Sequence, residues 1–410
     1  MTQASLLRQI TDYANRADPY PLYKELRRTP VLRDEDGPYL VSTYWEIQSL
    51  LHDPRTSSDA RNLATTGGYG ATPLEETSLP PSFIRLDPPE HDRLRRMAMR
   101  SFGPPHTPRR IHDMRDALHA IVTDLIDGLG NTDRIDLVEQ FSYPFPVTVI
   151  CRLLGVPRED EAHFRTWADI IAASLDPVPG EDPTERDRTT QQARNELGMY
   201  LAGLVEERRR KPGEDMLSEL VTGKGPDGTM TTMEVLSTSV LLLIAGHETT
   251  VNLITNGMLT LMRHPEVLQR LRNEPGLAVP LVEELLRYEP PVQLIPQRTT
   301  IADIEVSGVT IPKGASLWLV LASGNRDPER FTDPDRFDPD RKDIQHLGFG
   351  SGIHACFGAP LARLEAQIAL TELARRLDNP RLLEDPPPYR QSAVLRGPRH
   401  LHFACDGIRP

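Results

Sequence analysis

Cysteine is scarce in this 410-residue chain: Cys151, Cys356 and Cys405 stand far apart and never form a Cys-x-x-Cys pair. That spacing excludes a disulfide scaffold and a four-cysteine zinc or iron–sulfur site, and it suits a reducing compartment. Lysine is nearly absent, found only at positions 24, 211, 224, 313 and 342, so arginine supplies most of the positive charge. Acids still outnumber bases 59 to 47, a formal net charge of −12. A nucleic-acid partner needs a concentrated basic surface, which this balance argues against. Long apolar runs are missing as well: none is longer than Val240 to Ala245, far short of the roughly 20 residues that span a bilayer. The opening residues, Met1 to Pro21, lack the basic end, apolar middle and cleavage site of a secretory signal, so the expectation is a cytoplasmic protein without a membrane partner. With 38% hydrophobic residues the chain is too apolar to remain disordered.

What is present is helical patterning punctuated by proline and glycine. Apolar periodicity predicts helices over 91–102, 108–129, 145–154, 159–175, 184–210, 232–262, 277–288 and 358–377. The longest, from Thr232, halts at His264-Pro265, and the one ending at Tyr288 is stopped by Pro290-Pro291. Val31-Leu32 and Tyr39-Leu40-Val41 flank a hairpin signal at Asp36-Gly37, and Ile304/Val306 and Val309/Ile311 alternate about Ser307-Gly308. Ala315 to Leu321 reads as a buried strand. Residues 55–83 form a long Gly/Thr/Ser/Pro-rich loop, a length that is usually functional or disordered. Hairpins at both ends of a helical middle predict one intertwined domain over residues 1–410, mainly α with a small β region.

The sharpest chemical signal is Phe349-Gly350-Ser351-Gly352-Ile353-His354-Ala355-Cys356-Phe357-Gly358. Glycines deliver one cysteine to the start of an amphipathic helix, whose unpaired N–H groups and positive dipole end favour a thiolate. Gly350, Gly352 and Gly358 permit positive φ or a close approach by a planar group. Such a cysteine can be a nucleophile, a redox sensor or a metal ligand. These ten residues resemble the haem-binding loop of the cytochrome P450 family, F-G-x-G-x-H-x-C-x-G, at every fixed position. The resemblance implies that Cys356 is the thiolate ligand of the iron of haem b (iron protoporphyrin IX), with Phe349, Gly350 and Gly358 shaping the cofactor's bed. It also implies the family's fold, with haem between the long central helix and the cysteine-loop helix.

Three further segments match in the family's order. Glu284-Leu285-Leu286-Arg287 fits E-x-x-R; read alone, the pair is a surface ion pair worth under about 1 kcal/mol. The resemblance instead implies a buried network of Glu284, Arg287 and Arg341 bracing the cysteine loop. Ala245-Gly246-His247-Glu248-Thr249-Thr250 places a glycine, an acid and two hydroxyls inside an apolar helix, where broken local rules often mark a functional site. A mid-helix Thr can also bond its i−4 carbonyl and bend the helix, opening a groove. The segment is similar to [AG]-G-x-[DE]-T, which implies that Glu248 and Thr249 relay protons to dioxygen and that Ala245 and Gly246 lie over the cofactor. His91 and Arg95, one helical turn apart, match H-x-x-x-R and would grip a haem propionate, with Arg298 and His354 as the remaining propionate contacts. His247 carries no assigned role, and Arg93 and Arg96 read as solvated.

The resemblance runs from Asp18-Pro19-Tyr20-Pro21 to about Leu395. It implies a monooxygenase that uses O2 to hydroxylate or epoxidise a bulky apolar small molecule, in macrolide, terpenoid or similar secondary metabolism. Its pocket would be lined by Leu242, Val292, Leu294, Ile295 and Val394 and by the loop near 61–83, although each of these aliphatics also reads as core. The chain carries no reductase-like segment, so electrons would come from ferredoxin and an NAD(P)H-dependent ferredoxin reductase. Arg100, Arg109 and Arg110 offer a basic docking patch, or simply reflect an arginine-rich composition. Two rival readings remain: a peroxide-driven or carbon–carbon coupling enzyme on the same scaffold, and a haem-binding sensor without turnover.

Overall fold

Alternation in Leu317-Trp318-Leu319-Val320 sends successive side chains to opposite faces of a strand, and all four are buried, so both faces must be covered. The computed structural model describes residues 5–34, 37–62, 80–102, 109–130, 132–173 and 183–410. The chain divides into two units, one made of 1–71, 119–142 and 249–410, the other of 72–118 and 143–248.

The first unit holds the described strands: β1 (Val31–Arg33), β2 (Tyr39–Val41), β3 (Thr56–Ser57), β4 (Ile135–Asp136), β5 (Ile295–Thr300), β6 (Ile304–Val306), β7 (Val309–Ile311), β8 (Ser316–Leu319), β9 (Leu377–Asp378), β10 (Arg381–Leu382), β11 (His402–Ala404) and β12 (Gly407–Ile408). A five-stranded sheet runs β1-β2-β8-β5-β3, with β2 and β8 parallel and the other pairs antiparallel. A three-stranded sheet runs β10-β11-β4, and β12-β9 and β6-β7 are two-stranded ribbons. One face of the large sheet packs Val41, Leu317 and Leu319 against Tyr44, Ile47 and Ile311. The other packs Leu40, Trp318 and Val320 against Ile10, Tyr23 and Leu26.

Among the described helices are α1 (Tyr44–His52), α2 (Glu90–Phe102), α3 (Pro144–Leu154), α4 (Pro183–Arg210), α5 (Thr232–Arg263), α6 (Ala278–Tyr288) and α7 (Ala359–Arg376). The second unit contains α2, α3 and α4, and α5 crosses the division between Glu248 and Thr249. Within the first unit α5 comes close to α6 and α7 at Gly257, where a Cβ would lie 3.0 Å from Leu370 and 3.1 Å from Leu285. No described helix is long and apolar enough to cross a membrane.

Most predicted elements are present with ends moved by one or two residues. The helix expected over 108–129 is divided into Arg110–Asp113 and Arg115–Asp127, because Met114, with ψ of −13°, tightens the turn between them. The strand expected to reach Leu321 ends at Leu319, and Leu321–Gly324 turns into a short helix. Asn325 fixes that turn: its side-chain amide donates to the carbonyl of Leu286 and its side-chain oxygen accepts from the N–H of Leu347. The tip of the first hairpin at Asp36 and most of the 61–83 loop lie outside the described residues.

Arginine takes over work that lysine's single ammonium performs poorly, satisfying several carbonyls at once. Arg396, 1% exposed, donates to the carbonyls of Arg16 (2.8 Å) and Ala17 (2.7 Å) and pairs with Glu289 at the end of α6. Beside it the Tyr20 hydroxyl donates to the Tyr288 carbonyl at 2.8 Å, and Arg326 stacks 3.8 Å over the Tyr20 ring. Removing one partner strands the rest without water. Arg396→Ala should therefore cost about 3–5 kcal/mol, measured by urea unfolding; a loss below about 1 kcal/mol would show that this network does not hold the termini to α6.

Candidate active site

The cysteine loop is built by a chain of short main-chain bonds. The N–H of Gly350 donates to Leu347 (2.8 Å), that of Ala355 to Gly352 (3.1 Å) and that of Cys356 to Phe349 (2.8 Å). Gly350 and Gly352 adopt φ of 65° and 69°, a region that L side chains avoid. At Gly352 a Cβ would also fall 2.2 Å from the carbonyl oxygen of Leu51 on α1, so this position accepts only glycine. Gly358 caps α7, and Cys356 stands two residues before that cap with an exposed side chain, near the positive end of the helix. A Cβ at Gly350 or Gly358 would meet nothing within 4 Å. The loop is thus rigid behind and open in front.

Two adjacent acids on α6 brace it. Glu284 and Arg287 are fully buried and joined twice, at 2.7 Å each. Arg287 also donates to the carbonyls of Asn325, Pro334 and Arg336, and Arg341 approaches Glu284 at 3.5 Å. The expected network is therefore assembled, and the surface-pair reading of Glu284–Arg287 is overturned by burial. Sequence reasoning missed the neighbouring acid. Glu283 accepts from Arg363 on α7 at 2.6 and 2.9 Å and lies 3.1 Å from His346 Nε2. Burial alone would raise this carboxyl; the bonds from Arg363 and His346 overcome that and hold it down at about 2. Arg363 in turn lies 4.6 Å over the Phe349 ring, and its charged form is favoured by Glu283 and by Cys356.

The other candidates fall in both units. In the first, His354 is half-buried and shares a 2.9 Å hydrogen bond with Ser58, a partner no sequence pattern announced. Arg298 is buried on β5, and Thr249 is half-buried on α5. Val292 bridges to Leu395, and the N–H of Gln293 donates to Val394. Val292, Ile295 and Val394 are partly buried. Leu294 is 1% exposed among Tyr23, Leu26, Leu40 and Trp318, which makes it core rather than pocket lining. A cleft of about 220 Å³ beside Tyr44, Glu283 and Phe349 is smaller than the roughly 300–1,000 Å³ of ordinary ligand pockets.

In the second unit, Ala245 is exposed although it sits mid-helix amid apolar residues, and a Cβ at Gly246 would touch only Ile150, at 3.4 Å. Leu242 and Glu248 are buried. Helical backbone is continuous through 245–250, so the sequence motif does not interrupt α5. His247 packs edge-on to Tyr143, centroids 4.4 Å apart. His91 is buried on α2 and shares a 2.8 Å bond with Asp92; Arg95, four residues on, is half-buried. Of the two arginines expected to be solvated, Arg96 is exposed and Arg93 half-buried, and both carry ion pairs: Arg93 pairs with Glu234, and Arg96 and Arg100 pair with Asp227 at 2.8 and 2.9 Å. Arg110 pairs with Glu219. These acids lie 109 to 141 residues away in the chain, and they neutralise much of the basic patch read from sequence.

Comparison with known proteins agrees with this geometry. A family model described as Cytochrome P450 matches residues 71–403. The chain is 42% identical over 373 residues to cytochrome P450 monooxygenase PikC of Streptomyces venezuelae, covering 88% of this chain and 84% of that protein. It is 36% identical over 414 residues to 6-deoxyerythronolide B hydroxylase of Saccharopolyspora erythraea, covering 95% and 96%. The crystal structure of ligand-free CYP164A2 from Mycobacterium smegmatis is similar with a TM-score of 0.86 and 41% identity, over 97% of this chain and 99% of that one. These likenesses define the class as haem-iron oxidoreductases. The chain belongs to the cytochrome P450 family and is a monooxygenase of it.

The residues present fit that cofactor. An exposed thiol at a helix start and two glycines whose missing side chains leave open space suit a flat macrocycle with a sulfur ligand. Glu283 ties the loop to pH. Its folded carboxyl sits below its ordinary value of 4.5, so the stability it contributes is present above that pH and lost as pH falls toward 2. Glu283→Gln should cost about 2 kcal/mol at pH 7, and the gap from wild type in urea melts should close as pH drops below about 4.5. An unchanged gap at pH 3 would show that the Arg363 and His346 pairing does not depress Glu283.

Proposed function

We propose that the whole chain works as one haem-thiolate monooxygenase domain that hydroxylates or epoxidises a bulky apolar small molecule, of the macrolide, terpenoid or similar secondary-metabolite kind. The observation that carries this reading is Cys356, exposed at the mouth of a glycine loop and backed by Arg363, two residues ahead of the α7 cap. Cys356 would ligate the iron of haem b, and His91, Arg95, Arg298 and His354 would hold its propionates. Thiolate-ligated haem supplies dioxygen activation, placing one oxygen atom in the substrate and the other in water.

The chain's own groups then supply protons and shape. The Thr249 hydroxyl both donates and accepts, so it can pass a proton without acquiring charge. Glu248, the preceding residue, is buried and would renew that proton from its carboxyl. Ala245 and Gly246 leave the middle of α5 low enough for a flat ring to approach, and Leu242, Val292, Ile295 and Val394 would exclude water from an apolar substrate. The substrate class is supported by the relative named for hydroxylating 6-deoxyerythronolide B. Electrons would come from ferredoxin, reduced by an NAD(P)H-dependent ferredoxin reductase, in the cytoplasm. Because Arg93, Arg96, Arg100 and Arg110 are paired with acids, docking of that carrier would rest on fewer positive charges than the sequence suggested.

Cys356→Ser should abolish the red-shifted Soret band of the reduced carbon-monoxide complex, and an unchanged spectrum would show that another group ligates the iron. Thr249→Ala should retain haem and spin state yet turn over NAD(P)H mostly to hydrogen peroxide with ferredoxin and reductase present. Product formation per NAD(P)H at the wild-type level would overturn the relay.

A further inference from the structure

Far along the chain from the cysteine loop, three metal-type donors meet on the first unit's small sheet. Asp136 closes β4, His402 opens β11, and the two are cross-strand register partners. His400 precedes His402 by two residues, and its ring lies parallel to that of His402, 7° apart in plane with centroids at 5.6 Å. One ligand atom from each residue lies within 4.8 Å of the others. All three side chains are half-buried, open enough to admit an ion and sheltered enough to hold one.

The carboxylate is aimed. Asp136 Oδ1 accepts from the main-chain N–H groups of Val138 (3.1 Å) and Leu401 (3.2 Å), which fixes the plane of the group. Its other oxygen, Oδ2, then faces both imidazoles, 2.6 Å from His400 Nδ1 and 3.7 Å from His402 Nε2. Main-chain bonds that orient a ligating carboxylate are the usual outer support of a metal centre. The neighbouring cation, Arg399, is engaged by Glu139 at 2.6 Å, so its charge is compensated beside the cluster.

We propose that Asp136, His400 and His402 form a binding site for a divalent transition ion, of which zinc is the best match, clipping β11 to β4. Two imidazoles and one carboxylate are a borderline donor set that suits zinc over calcium or magnesium, which prefer oxygen alone. Tetrahedral zinc with bonds of about 2.0–2.1 Å sets its donor atoms roughly 3.3 Å apart. The observed 2.6 and 3.7 Å bracket that spacing. The short His400–Asp136 contact is a hydrogen bond between two of the atoms that would ligate the ion, and binding would draw His402 in by a few tenths of an ångström and let His400 back. Two ladder pairs, His402 with Asp136 and Phe403 with Ile135, join β11 to β4. A metal bond across so short a ladder favours the folded arrangement by binding only to it.

Tag-free, haem-loaded full-length protein titrated with zinc chloride by calorimetry tests this. Wild type should take up one equivalent and melt at a higher temperature with zinc than without. His402→Gln and Asp136→Asn should each weaken that binding at least tenfold and remove the zinc-dependent rise, with the reduced carbon-monoxide spectrum unchanged as proof of folding. X-ray absorption at the zinc edge of the wild-type complex should show two imidazoles among nitrogen and oxygen neighbours at about 2.0–2.1 Å. Absence of uptake, undiminished binding by both variants, or a zinc shell without imidazole would each overturn the site.

Discussion

Two neighbouring carboxylates on one helix turn hold this active-site half together. Glu284 turns inward to Arg287, and that guanidinium gathers the carbonyls of Asn325, Pro334 and Arg336. Glu283 turns toward α7 and grips Arg363, which covers Phe349. A fully buried ion pair does not stabilise cheaply, since desolvation offsets most of its attraction. What it does supply is register. The irregular segment ahead of the cysteine loop has few ladder bonds of its own, and Arg287 fixes its carbonyls in place of a strand. The loop can then be rigid at its back, where Gly352 lies against Leu51, and open at its front, where Cys356 projects.

The same division of labour recurs along α5. Its Thr249 end packs within the first unit through Gly257, and the Ala245 face stays exposed amid apolar residues. Gly246 costs helix stability, whereas Ala245 does not, and the two keep the side chains short at this point of α5. Tertiary packing, rather than composition, keeps the helix continuous through residues that locally disfavour it.

Much of this was legible in the sequence because it is local. Helix periodicity located α2 through α7 to within a few residues, and the glycine spacing around Cys356 announced a turn before a helix. The Glu284–Arg287 spacing showed a shared face. Burial was not legible, since i,i+3 pairs look alike on a surface and in a core. Partners distant in the chain were also out of reach: Glu283 meets Arg363 across 80 residues, Arg93 meets Glu234 across 141, and Asp136 meets His400 across 264. Those pairings depend on tertiary closure. Arginine-rich α2 read as a free basic face because its countercharges lie on other elements. Leu294 read as pocket lining for a related reason, since an aliphatic side chain carries no mark of which side of a sheet it will face.

In the proposed enzyme one sulfur atom, presented by a glycine loop, would hold the iron. Electron paramagnetic resonance of the haem-loaded ferric protein, with X-ray absorption at the iron edge, reads that ligand directly. A rhombic low-spin signal together with a sulfur neighbour of the iron is the predicted result. An axial nitrogen or oxygen in its place, with no sulfur in the first coordination shell, would contradict the account.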